Sequence, residues 1–399
     1  MRITIRPALV AVLAAMFVFS TVQTAPAVQS TSTAAGAGDA TDAGVLFLGI
    51  VNSARAVGMG AATVNLVDEE SGLYNPAALG LFHLQRNAGF SAPIATNWLP
   101  NVIGGGLNLT TFAVSGGYAV EFGDPDGPNQ PRVALALGYS RLKLDYLEGP
   151  RGVPGSTGVG EEDFYDKADL FTVAGALEYY ARIGLGFTHK RIRSYLGPEG
   201  YDIVGKANAS DYAVAVELPI VDLVGTTPAP NRAVNYDFTP SFAYVRANNG
   251  DDIEYPDAAQ EDPLPKLSRT GIALKLGAAS GRASIASLLL VHEWQKDLVG
   301  SDAATIKKFG AEFGVLGSLF IRGGKYNDDD GQTDTYTYGL GLRAGGIIAW
   351  LARRSHIDPN SRLVRWVDSG FDVAFDYGRY DKGSSLISET NFYSLRVSI

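Results

Sequence analysis

Apolar residues recur at every second position along most of the chain, opposite small, polar or charged residues. Because side chains of a strand alternate between its two faces, each such segment is predicted to be a β-strand with one apolar face. The pattern predicts about fourteen strands. They cover roughly 86–97, 103–121, 132–146, 169–179, 183–194, 209–218, 232–247, 268–277, 283–295, 307–316, 318–326, 335–345, 370–380 and 389–399.

The connections between these strands distinguish two all-β architectures. A soluble sandwich buries its apolar face, whereas a membrane barrel turns that face to lipid and keeps small and charged side chains inside. Long polar connections such as 248–267 alternate with short ones such as 278–282, as in outer-membrane barrels. Three connections, at 122–131, 219–231 and 346–369, are longer than this rule expects. The fold predicted is therefore an all-β membrane protein, an antiparallel outer-membrane β-barrel of about fourteen strands.

One predicted strand changes phase. Its apolar residues are odd-numbered from Val133 to Tyr139 but even-numbered at Leu142 and Leu144. Either a β-bulge near Ser140 or a strand that has left the membrane by residue 141 accounts for the change.

The N-terminus has the features of a secretory signal peptide. Arg2 and Arg6 precede an apolar run over 8–19, and Ala27 ends a small-residue cleavage motif. We expect residues 1–27 to be removed near Ala27, and residues 28–44 to form a flexible lead-in.

Composition excludes several function classes. The net charge of −9 provides no basic field for nucleic acid, and the absence of cysteine excludes thiol chemistry and thiolate metal sites. The four histidines lack metal-ligand spacing. We therefore expect no enzyme activity, no cofactor, no metal and no nucleic-acid partner.

The segment 54–79, ARAVGMGAATVNLVDEESGLYNPAAL, contains motifs that suggest chemistry. Gly58 and Gly60 begin a dinucleotide-binding fingerprint, but Thr63 replaces its third glycine and no βαβ context surrounds it. The acidic run 68–70 has no catalytic partner and is predicted to be a solvated turn. A calcium reading of 326–334 fails because Tyr326 stands where an aspartate is required.

The same region resembles the N-terminal signature of the PorV/PorQ family, within the wider FadL-like group of outer-membrane proteins. Segments 307–329 and 336–343 resemble the C-terminal strands of that family. The matching motif residues are Phe47, Leu48, Ile50, Ala54, Arg55, Ala56, Gly58, Met59, Gly60, Tyr74, Asn75, Pro76 and Ala77.

This resemblance implies that residues 45–82 form a plug (hatch) inside a barrel made by residues 83–399. Gly58 and Gly60 would then permit close backbone approach, and Asn75 with Pro76 would fix a turn. Arg55 is expected to pair with a carboxylate of the lumen, with Glu178 and Glu312 as the candidates.

Two functions remain open at this point. A PorV-like protein would bind exported cargo and pass it to the surface-attachment machinery of type IX secretion. A FadL-like protein would move long-chain fatty acids or other hydrophobic molecules across the bacterial outer membrane. In either case the expected partners include outer-membrane lipid, lipopolysaccharide and the barrel assembly machinery.

Overall fold

The computed structural model describes residues 43–94, 96–97, 107–123, 130–146, 165–195, 204–223, 234–256, 261–280, 283–300, 305–329, 333–353, 361–368, 370–381 and 390–399. The predicted signal peptide and nearly all of the predicted lead-in lie outside this part of the chain. So do most of the predicted long loops.

Among the described residues, seventeen strands form one sheet. They are β1 (Ala88–Ile94), β2 (Thr96–Asn97), β3 (Leu107–Glu121), β4 (Arg132–Tyr146), β5 (Tyr165–Glu178), β6 (Arg182–Tyr195), β7 (Val204–Glu217), β8 (Asn235–Gly250), β9 (Ile253–Glu254), β10 (Glu261–Asp262), β11 (Leu267–Ser280), β12 (Ala283–Asp297), β13 (Thr305–Val315), β14 (Leu319–Asp328), β15 (Thr333–Arg343), β16 (Asp372–Tyr380) and β17 (Asn391–Ser398).

The sheet closes into a barrel because β1 pairs antiparallel with both β3 and β17. The short strand β2 follows β1 and also pairs with β3, and β9 and β10 pair with each other between β8 and β11. Taking β1 and β2 as one strand and setting aside β9 and β10, the wall contains fourteen antiparallel strands. The predicted barrel class and strand number are confirmed.

Outward and inward positions alternate as the sequence pattern predicts. On β15 the large residues Tyr336, Tyr338, Leu340 and Leu342 are exposed, whereas Thr335 and Thr337 are buried. Of the two explanations for the phase change, a bulge near Ser140 is wrong, because β4 pairs with β3 and β5 without a register shift there. Leu142 and Leu144 continue the inward face and are buried by apolar residues inside the barrel.

Residues 43–87, here called the inner segment, precede the first strand. They contain a 3₁₀ turn (Leu46–Gly49) and helices α1 (Ala54–Val57), α2 (Ser71–Tyr74) and α3 (Pro76–His83). The inner segment contacts inward-facing groups around the wall, from Leu109 on β3 to Arg396 on β17. It therefore lies within the barrel.

Three further helices lie at the short-turn end of the barrel. Helix α4 (Ile220–Leu223) follows β7, and α5 (Ala344–Arg353) and α6 (Arg362–Asp368) occupy the connection between β15 and β16. This connection is the long one expected at 346–369. Within the described ranges, no helix is long and apolar enough to cross a membrane.

Candidate functional site

Arg55 of helix α1 joins the inner segment to the barrel wall. Its Nε and Nη2 atoms donate to the two carboxylate oxygens of Glu312 on β13, at 3.0 and 2.8 Å. Its Nη1 atom donates to Asp68 Oδ2, at 2.9 Å. Such a two-point contact fixes the direction of the guanidinium as well as its position.

The wall continues this contact through three more side chains. Arg322 on β14 donates to Glu312 at 2.6 Å and lies 2.7 Å from Asp376 on β16. Asp376 in turn accepts from Arg396 on β17 at 2.8 Å. Arg396 reaches back to the inner segment, with Nη1 lying 3.5 Å from Asp68 Oδ2. The contacts close on themselves, and we call this set the ionic ring: Asp68, Arg55, Glu312, Arg322, Asp376 and Arg396.

The ionic ring contains three cations and three anions, all removed from solvent. Glu69 adds a carboxylate that accepts from Arg396 at 2.9 Å. Burial by itself raises the pKa of Glu69, but Arg396 and Arg343 outweigh it and lower that pKa. Because each buried charge has a partner of opposite sign, the cluster holds the inner segment in place and offers no free group for catalysis.

Glu70 differs from its neighbours in the acidic run. Its Oε1 atom accepts from the Ser91 hydroxyl at 2.6 Å, while its Oε2 atom has no hydrogen-bond partner among the described residues. Burial, and then the charge of Asp68, raises the pKa of Glu70 to about 7. The prediction that residues 68–70 form a solvated turn is wrong, since all three side chains are at most 4 % exposed.

A second ionic contact lies on β12. Glu293 accepts from the backbone N–H groups of Thr63 and Val64, at 2.6 and 2.8 Å, and from Lys308 Nζ at 2.9 Å. The carboxylate thus satisfies two backbone donors of the inner segment that would otherwise be buried without acceptors. Together with the ionic ring, it attaches the segment directly to β12, β13 and β17.

Glycines permit the closest approach between the inner segment and the wall. Gly60 has a φ of 70°, and a Cβ there would lie 2.3 Å from the Phe309 carbonyl oxygen. Its N–H donates to the Thr337 hydroxyl at 2.8 Å. A Cβ on Gly58 would lie 2.9 Å from the Cα of Gly339. Both motif glycines therefore meet requirements of close backbone packing.

Asn75 and Pro76 begin helix α3. The Asn75 side chain accepts from the N–H groups of Ala77 and Ala78 and donates to the Val64 carbonyl, at 2.9, 3.3 and 2.6 Å respectively. Pro76 stands at the first helical position, where its missing N–H is not needed. The motif thus starts a helix against β4 to β7, which is more than the turn predicted from the sequence.

The remaining motif residues form the apolar half of the lumen. Phe47, Leu48, Ala54, Ala56 and Met59 are buried with Leu109, Leu142, Leu144, Leu170 and Ile192 of the wall, and Ile50 packs against them. The hydroxyl of Tyr74 accepts from the Asn52 N–H at 2.9 Å. A cavity of about 10 Å³, lined by Leu48, Leu73 and Tyr74 among others, remains between them. It has room for about one water molecule.

Of the two wall carboxylates expected to bind Arg55, only Glu312 does. Glu178 pairs with Arg132 and Arg182, at 3.1 and 2.6 Å. The other wall members of the ionic ring were not predicted from the sequence, although Arg322 and Arg396 stand at inward positions of strands with an apolar outer face. Within the described residues, no group of three or more His, Asp or Glu side chains is arranged to hold a metal ion.

No protein-family model matches this chain, and no curated protein sequence does. Similar solved structures include a Pseudomonas aeruginosa FadL homologue, with 10% identity, a TM-score of 0.40 and coverage of 87% of this chain and 98% of that one. The Pseudomonas putida toluene transporter TodX has 11% identity, a TM-score of 0.38 and coverage of 86% and 95%. The transport unit of the Escherichia coli autotransporter AIDA-I has 10% identity, a TM-score of 0.37 and coverage of 78% and 87%. These values are too low to assign a function to the chain.

Proposed function

We propose that the protein is a barrel of the bacterial outer membrane. The outer wall supports this proposal, because residues such as Tyr118, Leu135 and Leu185 are 70, 69 and 61% exposed. A water-facing wall would carry these side chains at a large cost, whereas lipid solvates them. Charged side chains such as Glu312, Arg322 and Arg396 face the lumen and are buried there, as is typical of membrane barrels.

We further propose that the inner segment is a plug that keeps the lumen closed. The ionic ring carries this proposal. It ties Arg55 and Asp68 of the segment to β13 and β17, and Glu69 adds a further contact to β17. Apolar residues of the segment and the wall pack together around a cavity of about 10 Å³. Under this proposal a solute passes the lumen only when the plug is displaced.

For the activity itself, we favour a PorV-like role in which the closed barrel serves as a membrane platform. It would bind exported cargo at its loop end and pass it to surface-attachment machinery. The support is the resemblance of residues 47–82 to the PorV/PorQ signature, together with a plug in which Arg55, Asp68 and Glu69 are ion-paired. A platform does not require the lumen to open. This role is therefore compatible with a plug that forms many hydrogen bonds and ion pairs with the wall. We propose no catalytic role.

A FadL-like conduit is the second candidate. The apolar cluster around Leu48, Leu73 and Leu142 favours it, because a plug that moved away would leave an apolar surface inside the barrel. Such a surface suits fatty acids or other hydrophobic solutes.

A pull-down from outer membranes with tagged protein separates the two. Under the platform role, exported proteins or secretion components co-purify and fatty-acid uptake by a deletion strain is normal. Under the conduit role, bound lipid co-purifies and the deletion strain loses uptake. The Arg55→Met variant provides a second comparison. Loosening the plug is expected to raise fatty-acid uptake only if the barrel is a conduit.

A further inference from the structure

Four basic side chains stand directly opposite one another on the outer face of neighbouring strands. The register pairs Lys143 of β4 with Lys167 of β5, Lys167 with Arg193 of β6, and Arg193 with Lys206 of β7. We call these four residues the basic row. Like charges in directly opposed positions destabilise a sheet, so the row needs a compensating partner.

Nearby carboxylates compensate the row only in part. Lys143 lies 2.5 Å from Asp145, and Lys167 lies 3.2 Å from Asp169, which Arg141 also approaches to 2.7 Å. Lys206 is exposed on β7 and stands opposite the exposed Glu254 of β9. Arg193 is exposed on β6, and the described outward positions of β6 and β7 hold no acidic residue. With Arg191 beside them, this wall is strongly positive in a protein whose net charge is −9.

The position of the basic row along the barrel axis indicates which part of the membrane it faces. Below it on β5, the outward residues Phe171, Val173 and Leu177 are exposed and apolar. The row thus begins where the apolar band ends, on the side of the long connections, which in outer-membrane barrels faces the cell exterior. Aromatic side chains mark this boundary, with Tyr139 and Phe171 at 5.2 Å between ring centroids.

The opposite wall has no comparable arrangement in its described part. There Lys307 of β13 faces Trp294 and Asn327, and Lys296 of β12 faces Ser268 and Thr305. Cations on that wall are therefore separated by uncharged neighbours. The alignment across β4 to β7 is a local feature.

We propose that the basic row binds the phosphate groups of a phosphorylated lipid in the outer leaflet, with the lipid A part of lipopolysaccharide as the occupant. This inference rests on the proposed outer-membrane location. A lipid A molecule beside β4 to β7 places its acyl chains against the exposed apolar band and its phosphates at the level of the row. Its negative charges add compensation for Arg193 and for Arg141 and Lys167, which share Asp169.

The test uses the full barrel in lipid nanodiscs, titrated with bisphosphorylated lipid A and with the same lipid A after removal of both phosphates. The variant R193Q/K206Q removes two row charges at exposed positions. The matched control K296Q/K307Q removes two exposed charges at the same end of the opposite wall. Heat-dependent gel migration checks that each variant is folded.

The wild type and the control are expected to prefer the phosphorylated lipid, and R193Q/K206Q to bind it about tenfold more weakly. Equal binding of the two lipids, or an equal loss in the control, would overturn the proposal. So would competition by inorganic phosphate at the concentration of the lipid, since the row would then be a site for free phosphate. A barrel that does not enter the nanodisc contradicts the outer-membrane location itself, whereas an inserted barrel without phosphate preference contradicts only the lipid site.

Discussion

The guanidinium of Arg55 and the carboxylate of Glu312 form a two-point ion pair across 257 residues of sequence. Arg55 belongs to the inner segment and Glu312 to β13, so this pair can form only when the segment is in its place inside the barrel. Glu312 also accepts from Arg322, which means that it keeps one partner when Arg55 is absent.

Arg55→Met is expected to destabilise the seated plug. The substitution removes one of the two cations beside each of Asp68 and Glu312 in a buried site. The cost is therefore expected to stay below the ~3–5 kcal/mol that is typical of a buried charge left without any partner. Single-channel recording in planar bilayers measures the outcome, and the variant should show openings that the wild type does not.

Asp334→Asn provides the control for this experiment. Asp334 pairs with Lys325 at 3.1 Å on the exposed outer wall, where an ion pair contributes little. Openings of equal frequency in both variants would contradict the role assigned to the ionic ring.

Gly60→Ala is expected to impair assembly of the barrel with its plug. The added Cβ meets the Phe309 carbonyl, and a φ of 70° is strained for alanine. Gly49→Ala is the matched variant, because a Cβ there meets nothing within 4 Å. The yield of folded protein in the outer membrane should fall for the first and stay normal for the second. Similar yields would show that the close approach at Gly60 is not required.

The strands could be predicted from the sequence because alternation with period two is a local property. The ionic ring could not, because the meeting of Arg55 with Glu312 depends on strand register and on closure of the barrel. Arg55 had two candidate partners, and nothing local distinguished Glu312 from Glu178. The acidic run 68–70 was misread because most charged runs are solvated, whereas here Arg55 and Arg396 draw it inside. Leu142 and Leu144 suggested a bulge because barrel interiors are usually polar.

Asn75→Ala is expected to loosen the plug through its helix. It removes the cap of helix α3 and the bond to the Val64 carbonyl, and losing a cap alone costs about 1 kcal/mol. Asn75→Ser keeps a side-chain oxygen that can cap the helix, loses the donor to Val64 and adds no charge at this buried position. Thermal unfolding should therefore give the order wild type, Asn75→Ser, Asn75→Ala in decreasing Tm. An Asn75→Ser Tm below that of Asn75→Ala would contradict the capping role.

Glu70 is expected to make the protein less stable at alkaline pH. Its pKa rises from 4.5 to about 7 on folding, so the folded state holds a proton that the unfolded state releases. This contribution to stability is complete below pH 4.5 and is lost as the pH rises through about 7.

The measurement is the difference in Tm between pH 5.5 and pH 8.5, for the wild type and for Glu70→Gln. Because glutamine does not titrate, the variant should lose less stability across this range, as the linkage relation requires. The same pH dependence in both proteins would exclude Glu70 as its source.

The position of Arg396 near the end of the chain has a consequence for biogenesis. The last residue, Ile399, bonds through its backbone to Ala88 at 3.0 Å, so β17 is the strand that shuts the barrel. Until it docks, Asp68, Glu69 and Asp376 lack the cation that joins them. The ionic ring therefore closes only when β17 docks, so that closure of the wall and the placement of the inner segment are coupled through Arg396.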